Sequence, residues 1–153
     1  MFLNIIIGFI LPWLLAYPLA CKYAKLFLVM SPITAIIALL INTIGFYFDF
    51  WHFKPVLERN ETISAIPLDL GLYAVLGSLM VYFLTKRLFG IPSIIVFLLF
   101  VSFTTLLEYL ALMLERVTYT NGWHIGWTFI SYSTAFFLVV LAWRFVKSHI
   151  DLA

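Results

Sequence analysis

Charge is scarce in this sequence. Nine Lys and Arg and seven Asp and Glu among 153 residues, 10% in all, cannot clothe a water-soluble domain. The net charge of +2 is too small to imply a nucleic-acid partner, so only the placement of the charges is informative. A lone cysteine, Cys21, excludes an internal disulfide and a multi-cysteine metal centre. There is no HExxH, no DxxD-type acidic repeat and no close histidine pair, so spacing supports neither a metal nor a cofactor. Phosphate-cradling glycine loops, a nucleophile elbow, internal repeats and low-complexity segments are also missing.

What is present is apolar: 65% of the residues are hydrophobic and the mean hydropathy is +1.11. The expected fold class is therefore all-α, a polytopic membrane protein with one transmembrane domain over residues 1–153. At about 20 residues per crossing, a five-helix transmembrane bundle is expected, with helices at about 2–20, 26–48, 68–84, 92–114 and 126–146. The first apolar run is read as a retained helix, because Lys22 and Lys25 follow it, whereas a signal peptide carries its positive charge in front.

Six of the nine basic residues (Lys22, Lys25, Lys86, Arg87, Arg144 and Lys147) follow helices one, three and five. The positive-inside rule then predicts an N-terminus outside and a C-terminus in the cytoplasm. The acids separate the other way: Asp49, Glu58, Glu61, Asp69, Glu108 and Glu115 fall towards the outer half, and Asp151 inside. Within the helices, Pro12 predicts a kink, and Asn42, Gly45 and Asp49 share one face. Gly71, Ala74 and Ser78 form a small-residue surface, Thr104, Glu108, Ala111 and Glu115 lie along one stripe, and Asn121-Gly122 marks a turn.

The stretch from Phe46 to Asp69 interrupts the apolar pattern with acids, Trp51, His52 and two prolines, and chemistry is expected near it. The predicted ligand pocket, at the outer end of the bundle, gathers Asn42, Asp49, Trp51, His52, Asp69, Glu108, Trp123 and His124. Glu108 and Asp69 are the candidate catalytic acids, since an ionisable group inside a bilayer is costly and marks function by default. Structural alternatives stand beside this. Trp51, Trp123, Trp127 and Trp143 suit interfacial anchors, Asp49 and Asp69 suit helix ends near hydrated surface, Asn42 suits inter-helix glue, and Glu108 suits an ion pair with Arg116 or His124. Asn60-Glu61-Thr62 fits the glycosylation pattern.

The segments FYFDFWHFKP, IPLDLGLY, LLEYL and NGWHIGW carry a resemblance. Taken in order, they make the chain similar to an uncharacterised family of small multi-pass membrane proteins from spore-forming Gram-positive bacteria, with His124 where that family has asparagine. The resemblance implies a multi-pass protein of the bacterial cytoplasmic membrane and no particular reaction. A weaker one, through Trp51-His52-Phe53 and Pro67-Leu68-Asp69, is to membrane lycopene cyclases of the heterodimeric type, although a single aspartate stands where those carry an acidic pair. The expected function is a non-catalytic accessory or apolar-ligand-binding protein, its partners the lipid bilayer, a lipid or isoprenoid ligand, and a membrane protein or a second copy. The alternative is a membrane enzyme acting on an isoprenoid or lipid by acid catalysis.

Overall fold

The computed structural model describes residues 1–57, 60–87 and 90–149 and is helical apart from one short ribbon. Among the described residues, five helices are long and apolar enough to cross a membrane: α1 (Phe2–Lys22), α2 (Ala24–Tyr47), α3 (Glu61–Lys86), α4 (Ser93–Met113) and α5 (Ile125–Lys147). Glu58 and Asp151 lie outside the described residues.

The others pack around α3, whose apolar window is 61% buried against at most 33% in any other helix. Its small residues explain why. In lipid, helices associate through close packing rather than water exclusion, and missing side chains allow close approach. The Ser78 hydroxyl meets that of Ser31 on α2 at 2.8 Å, and a Cβ on Gly77 would overlap Thr34. A Cβ on Gly71 would run into the backbone of Gly8 and Phe9 on α1. The predicted small-residue surface is thus a seam with both neighbours.

The start of α3 departs from expectation. The helix begins at Glu61 rather than near Leu68, and Pro67 lies within it. Proline supplies no N–H, and the chain accommodates it by widening to π-helical geometry over Leu68–Tyr73. A second wide turn, Ile6–Ile10, precedes Pro12 in α1, where a kink was expected. The two irregular turns pack against each other through Gly8 and Gly71, and Trp13 Nε1 donates to the Leu70 carbonyl at 3.0 Å.

α2 and α4 end alike. Asp49 N–H donates to Phe46 O and Phe50 N–H to Gly45 O; Glu115 N–H donates to Leu112 O and Arg116 N–H to Ala111 O. This is the Schellman arrangement, with Asp49 (φ +57°) and Glu115 (φ +53°) in the left-handed position that glycine usually takes. Asp49 is therefore exposed beyond the helix, off the face that Asn42 and Gly45 share. Each helix then feeds a strand, β1 (Trp51–Phe53) or β2 (Val117–Tyr119), and the two pair antiparallel with Trp51 opposite Tyr119 and Phe53 opposite Val117. Trp51, Phe53 and Val117 are buried under this ribbon, which closes one end of the bundle. At the other end, Lys22 and Lys86 both approach the Tyr23 ring, gathering the basic ends of α1 and α3.

Candidate ligand-binding site

Glu108 sits five residues before the last residue of α4, below the ribbon. Its carboxylate collects hydroxyl donors from three directions. Tyr119 on β2 donates to Oε1 at 2.6 Å, Thr128 on α5 approaches the same oxygen at 3.3 Å, and Tyr132 donates to Oε2. The Tyr119 proton goes to Glu108, which leaves its oxygen to face the Thr128 hydroxyl at 2.6 Å. Trp123 Nε1 donates to Thr128 at 2.9 Å, and the hydroxyls of Tyr132 and Tyr73 on α3 lie 2.9 Å apart. The arrangement follows from local geometry: Thr128 and Tyr132 are one helical turn apart on α5, and the ribbon register aims Tyr119 at them. Burial, reinforced by the nearby Glu108 carboxylate, pushes the Tyr119 phenol well above its ordinary range.

The ion pair weighed for Glu108 is not formed. Among the described residues Arg116 makes no salt bridge, and His124 instead caps α5, its Nδ1 accepting the Gly126 N–H at 3.1 Å.

A second polar cluster lies on the α2–α3 side. Asn42 Nδ2 donates to Asp69 Oδ1 at 2.7 Å, and Trp51 Nε1 donates to Asn42 Oδ1 at 3.3 Å. Asp69 is 0% exposed, and its other oxygen has no hydrogen-bond partner. The hydrated, helix-starting position considered for Asp69 is therefore replaced by a sealed one, because α3 begins a full two turns before it. Trp51 is buried as well, so the interfacial-anchor alternative does not describe it; its indole packs 4.8 Å from that of Trp123. A third cluster is at the ribbon surface. His52 reaches Asp49 through Nε2 and Glu61 through Nδ1, each at 2.8 Å, tying the end of α2 to the start of α3.

By hydrogen bonding the predicted pocket residues divide three ways: Asn42, Trp51 and Asp69 together in the sealed cluster, Glu108 and Trp123 in the hydroxyl network, and Asp49 and His52 at the surface; Asn42, Trp51, Glu108 and Trp123 nevertheless line one small crevice together. His124 belongs to none of them. Tyr73, Tyr119, Thr128 and Tyr132 were not singled out from the sequence. The signal for two of them was the one-turn spacing of Thr128 and Tyr132 on α5, a weak one because Ser131, Ser133 and Thr134 stand beside them.

A cleft of about 750 Å³ runs between α1, α3 and α4 to the edge of β2. Its volume falls within the roughly 300–1,000 Å³ usual for small-molecule sites. Leu11, Leu15, Leu72, Leu76, Leu79 and Leu107 typify its lining, and Glu108, Tyr73 and Tyr132 form its polar wall. The rim residues Ile7, Leu15, Phe103 and Leu114 are exposed, so the cleft opens sideways, where the hydrocarbon of a bilayer would lie. On the opposite side, two small crevices of about 40 and 20 Å³ between α2 and α5 share Tyr132 as lining. The hydroxyl network is therefore a partition with the large apolar cleft on one side. Asp69 lines none of these spaces. Among the described residues, no three His, Cys, Asp or Glu side chains are grouped to hold a metal.

No family model matches the chain, and neither a curated protein nor a solved structure matches it.

Proposed function

We propose that this protein is an apolar-ligand-binding protein of the bacterial cytoplasmic membrane that holds a lipid or isoprenoid chain in the α1–α3–α4 cleft. The supporting observation is the cleft itself: about 750 Å³, apolar along its length, open at its side, with one polar wall at Glu108. Such a site suits a molecule that enters from the bilayer and is recognised by the few polar groups it meets. In this reading the ribbon faces outside the cell and the Lys22, Lys86 and Arg144 end faces the cytoplasm, because basic loop residues favour the inner side.

The test is native mass spectrometry with lipid extraction on protein purified in mild detergent, comparing wild type with Leu72→Trp, which places an indole in the cleft. Co-purification of a defined apolar molecule with the wild type, and its loss from a folded Leu72→Trp protein, supports the reading. The same mass with and without extraction, in both proteins, sinks it.

A second reading is favoured by the placement of Glu108 alone. A carboxyl group held by three hydroxyls at the wall of an apolar cleft is positioned for general acid–base catalysis on an apolar substrate. It predicts that Glu108→Gln abolishes turnover while the protein still binds the same molecule, because proton transfer needs the titratable group and binding does not.

A further inference from the structure

The polar lining of the cleft is almost entirely committed to internal partners. Both amide hydrogens of Asn4 go to backbone carbonyls, those of Lys54 and Ser64. The Thr104 hydroxyl donates to Phe100 O, while the Tyr132 hydroxyl bonds both Glu108 and Tyr73. The exception is Arg116, at the ribbon end of the lining: its side chain is exposed and, among the described residues, in no salt bridge. Lys54 is its neighbour across the ribbon, through the bond from Lys54 N–H to Arg116 O at 2.9 Å. The Lys54 ammonium has only a 4.0 Å approach to the well-exposed Glu115, a pair of small value in water. The cleft thus offers an apolar length ending at one cation of its own lining, Arg116, with a second, Lys54, on the chain segment paired beside it.

Resting on the cleft being a ligand site, we propose that its ligand is a single-chain lipid phosphate, with the hydrocarbon between α1, α3 and α4 and the phosphate at Arg116 and Lys54. A guanidinium fork grips phosphate oxygens bidentately, and a second cation suits a group carrying up to two negative charges. A neutral alcohol would leave Arg116 without a counter-charge and Lys54 with only its loose approach to Glu115. A carboxylate would engage one of the two cations.

The experiment titrates protein in a neutral detergent with dodecyl phosphate, dodecanoate and dodecanol, read as one-to-one adducts by native mass spectrometry. Dodecyl phosphate is expected to bind at least about tenfold more tightly than dodecanol, a step equal to about 1.4 kcal/mol. Arg116→Gln, a change at an exposed side chain, should erase most of that preference, Lys54→Gln part of it, and Lys86→Gln, at the far end of the bundle, none. If dodecanol binds as well as the phosphate, the headgroup assignment falls while the cleft as a ligand site stands. If none of the three binds one-to-one, both fall. Equal binding of dodecanoate and the phosphate overturns the choice of phosphate, and an equal loss from Lys86→Gln overturns the location.

Discussion

The two helical hairpins, α2–β1–α3 and α4–β2–α5, are built alike and used differently. Each first helix carries a polar residue five positions before its last residue, Asn42 or Glu108. Each of these residues receives a hydrogen bond from the ribbon, from Trp51 or Tyr119, and bonds to the helix that follows, at Asp69 or at Thr128 and Tyr132. The difference lies in the neighbours. Asn42 and Asp69 lie where α3 packs tightly on α2, and Asp69 lines neither the cleft nor either crevice. Glu108 faces the side where α1 and α4 stand apart over α3, and it becomes the wall of a cleft. A polar residue within an apolar helix therefore does not declare its task by type or by depth; what the next helix over leaves open decides it.

The sealed cluster has no spare partners, so breaking it should have the largest effect. Asn42→Leu would leave Asp69 with no hydrogen bond and the Trp51 indole without its acceptor. At roughly 1–3 kcal/mol for each orphaned group, a loss of about 3 kcal/mol is expected, read by thermal unfolding in detergent. The ligand affinity of whatever fraction stays folded should not change, since Asn42 does not line the cleft. An unaltered melting temperature would contradict the claim that this cluster holds α2, α3 and the ribbon together.

The open network is redundant. In Glu108→Ala, Tyr132 keeps Tyr73 and Tyr119 keeps Thr128, so the stability loss should be about 1–2 kcal/mol, less than for Asn42→Leu. Retention of the apolar ligand should nevertheless fall. The pairing of the effects, stability in one hairpin and ligand in the other, is what distinguishes the clusters. If Asn42→Leu released ligand and Glu108→Ala did not, the roles would have to be exchanged. Double-mutant cycles sharpen this at smaller scale. The Asn42–Asp69 and Glu108–Tyr132 pairs should each couple by about 0.6 kcal/mol and at most about 1.7, the range found for hydrogen bonds between membrane helices.

Long apolar runs made the five helices legible in the sequence, and the small residues of α3 foretold its seam with its neighbours. The place of Asp69 was not legible. Pro67 reads as a helix boundary, and only the widened turn after it lets the helix run through and carry Asp69 into the core. The ribbon was equally hidden: three-residue strands are too short for an alternating pattern, and the left-handed residues that launch them are an aspartate and a glutamate rather than glycines. Without the ribbon, Tyr119 could not be placed beside Glu108, and the competing ion pair with Arg116 looked equally good. The cleft lay beyond reach too, since it depends on which helices fail to touch, and local sequence holds no record of that.

The smallest effect at neutral pH should come from Tyr119→Phe, which removes one hydroxyl from a network with substitutes. About 0.5–1.5 kcal/mol is expected. Its value as a test lies at alkaline pH. Burial first, and then the Glu108 carboxylate, raise the Tyr119 phenol in the folded chain above its unfolded value of about 10. The folded state therefore holds this proton more tightly than the unfolded state does. Its contribution is complete below the unfolded value and is lost as the pH climbs from there towards the folded one. Wild-type stability should accordingly fall above about pH 10, and Tyr119→Phe should fall less steeply over the same range. A phenol open to solvent beside an empty-handed Glu108 would titrate alike in both states, and the two proteins would then show parallel alkaline slopes. Parallel slopes would detach the ribbon from the hydroxyl network and leave Glu108 held by α5 alone, which would remove the likeness between the two hairpins.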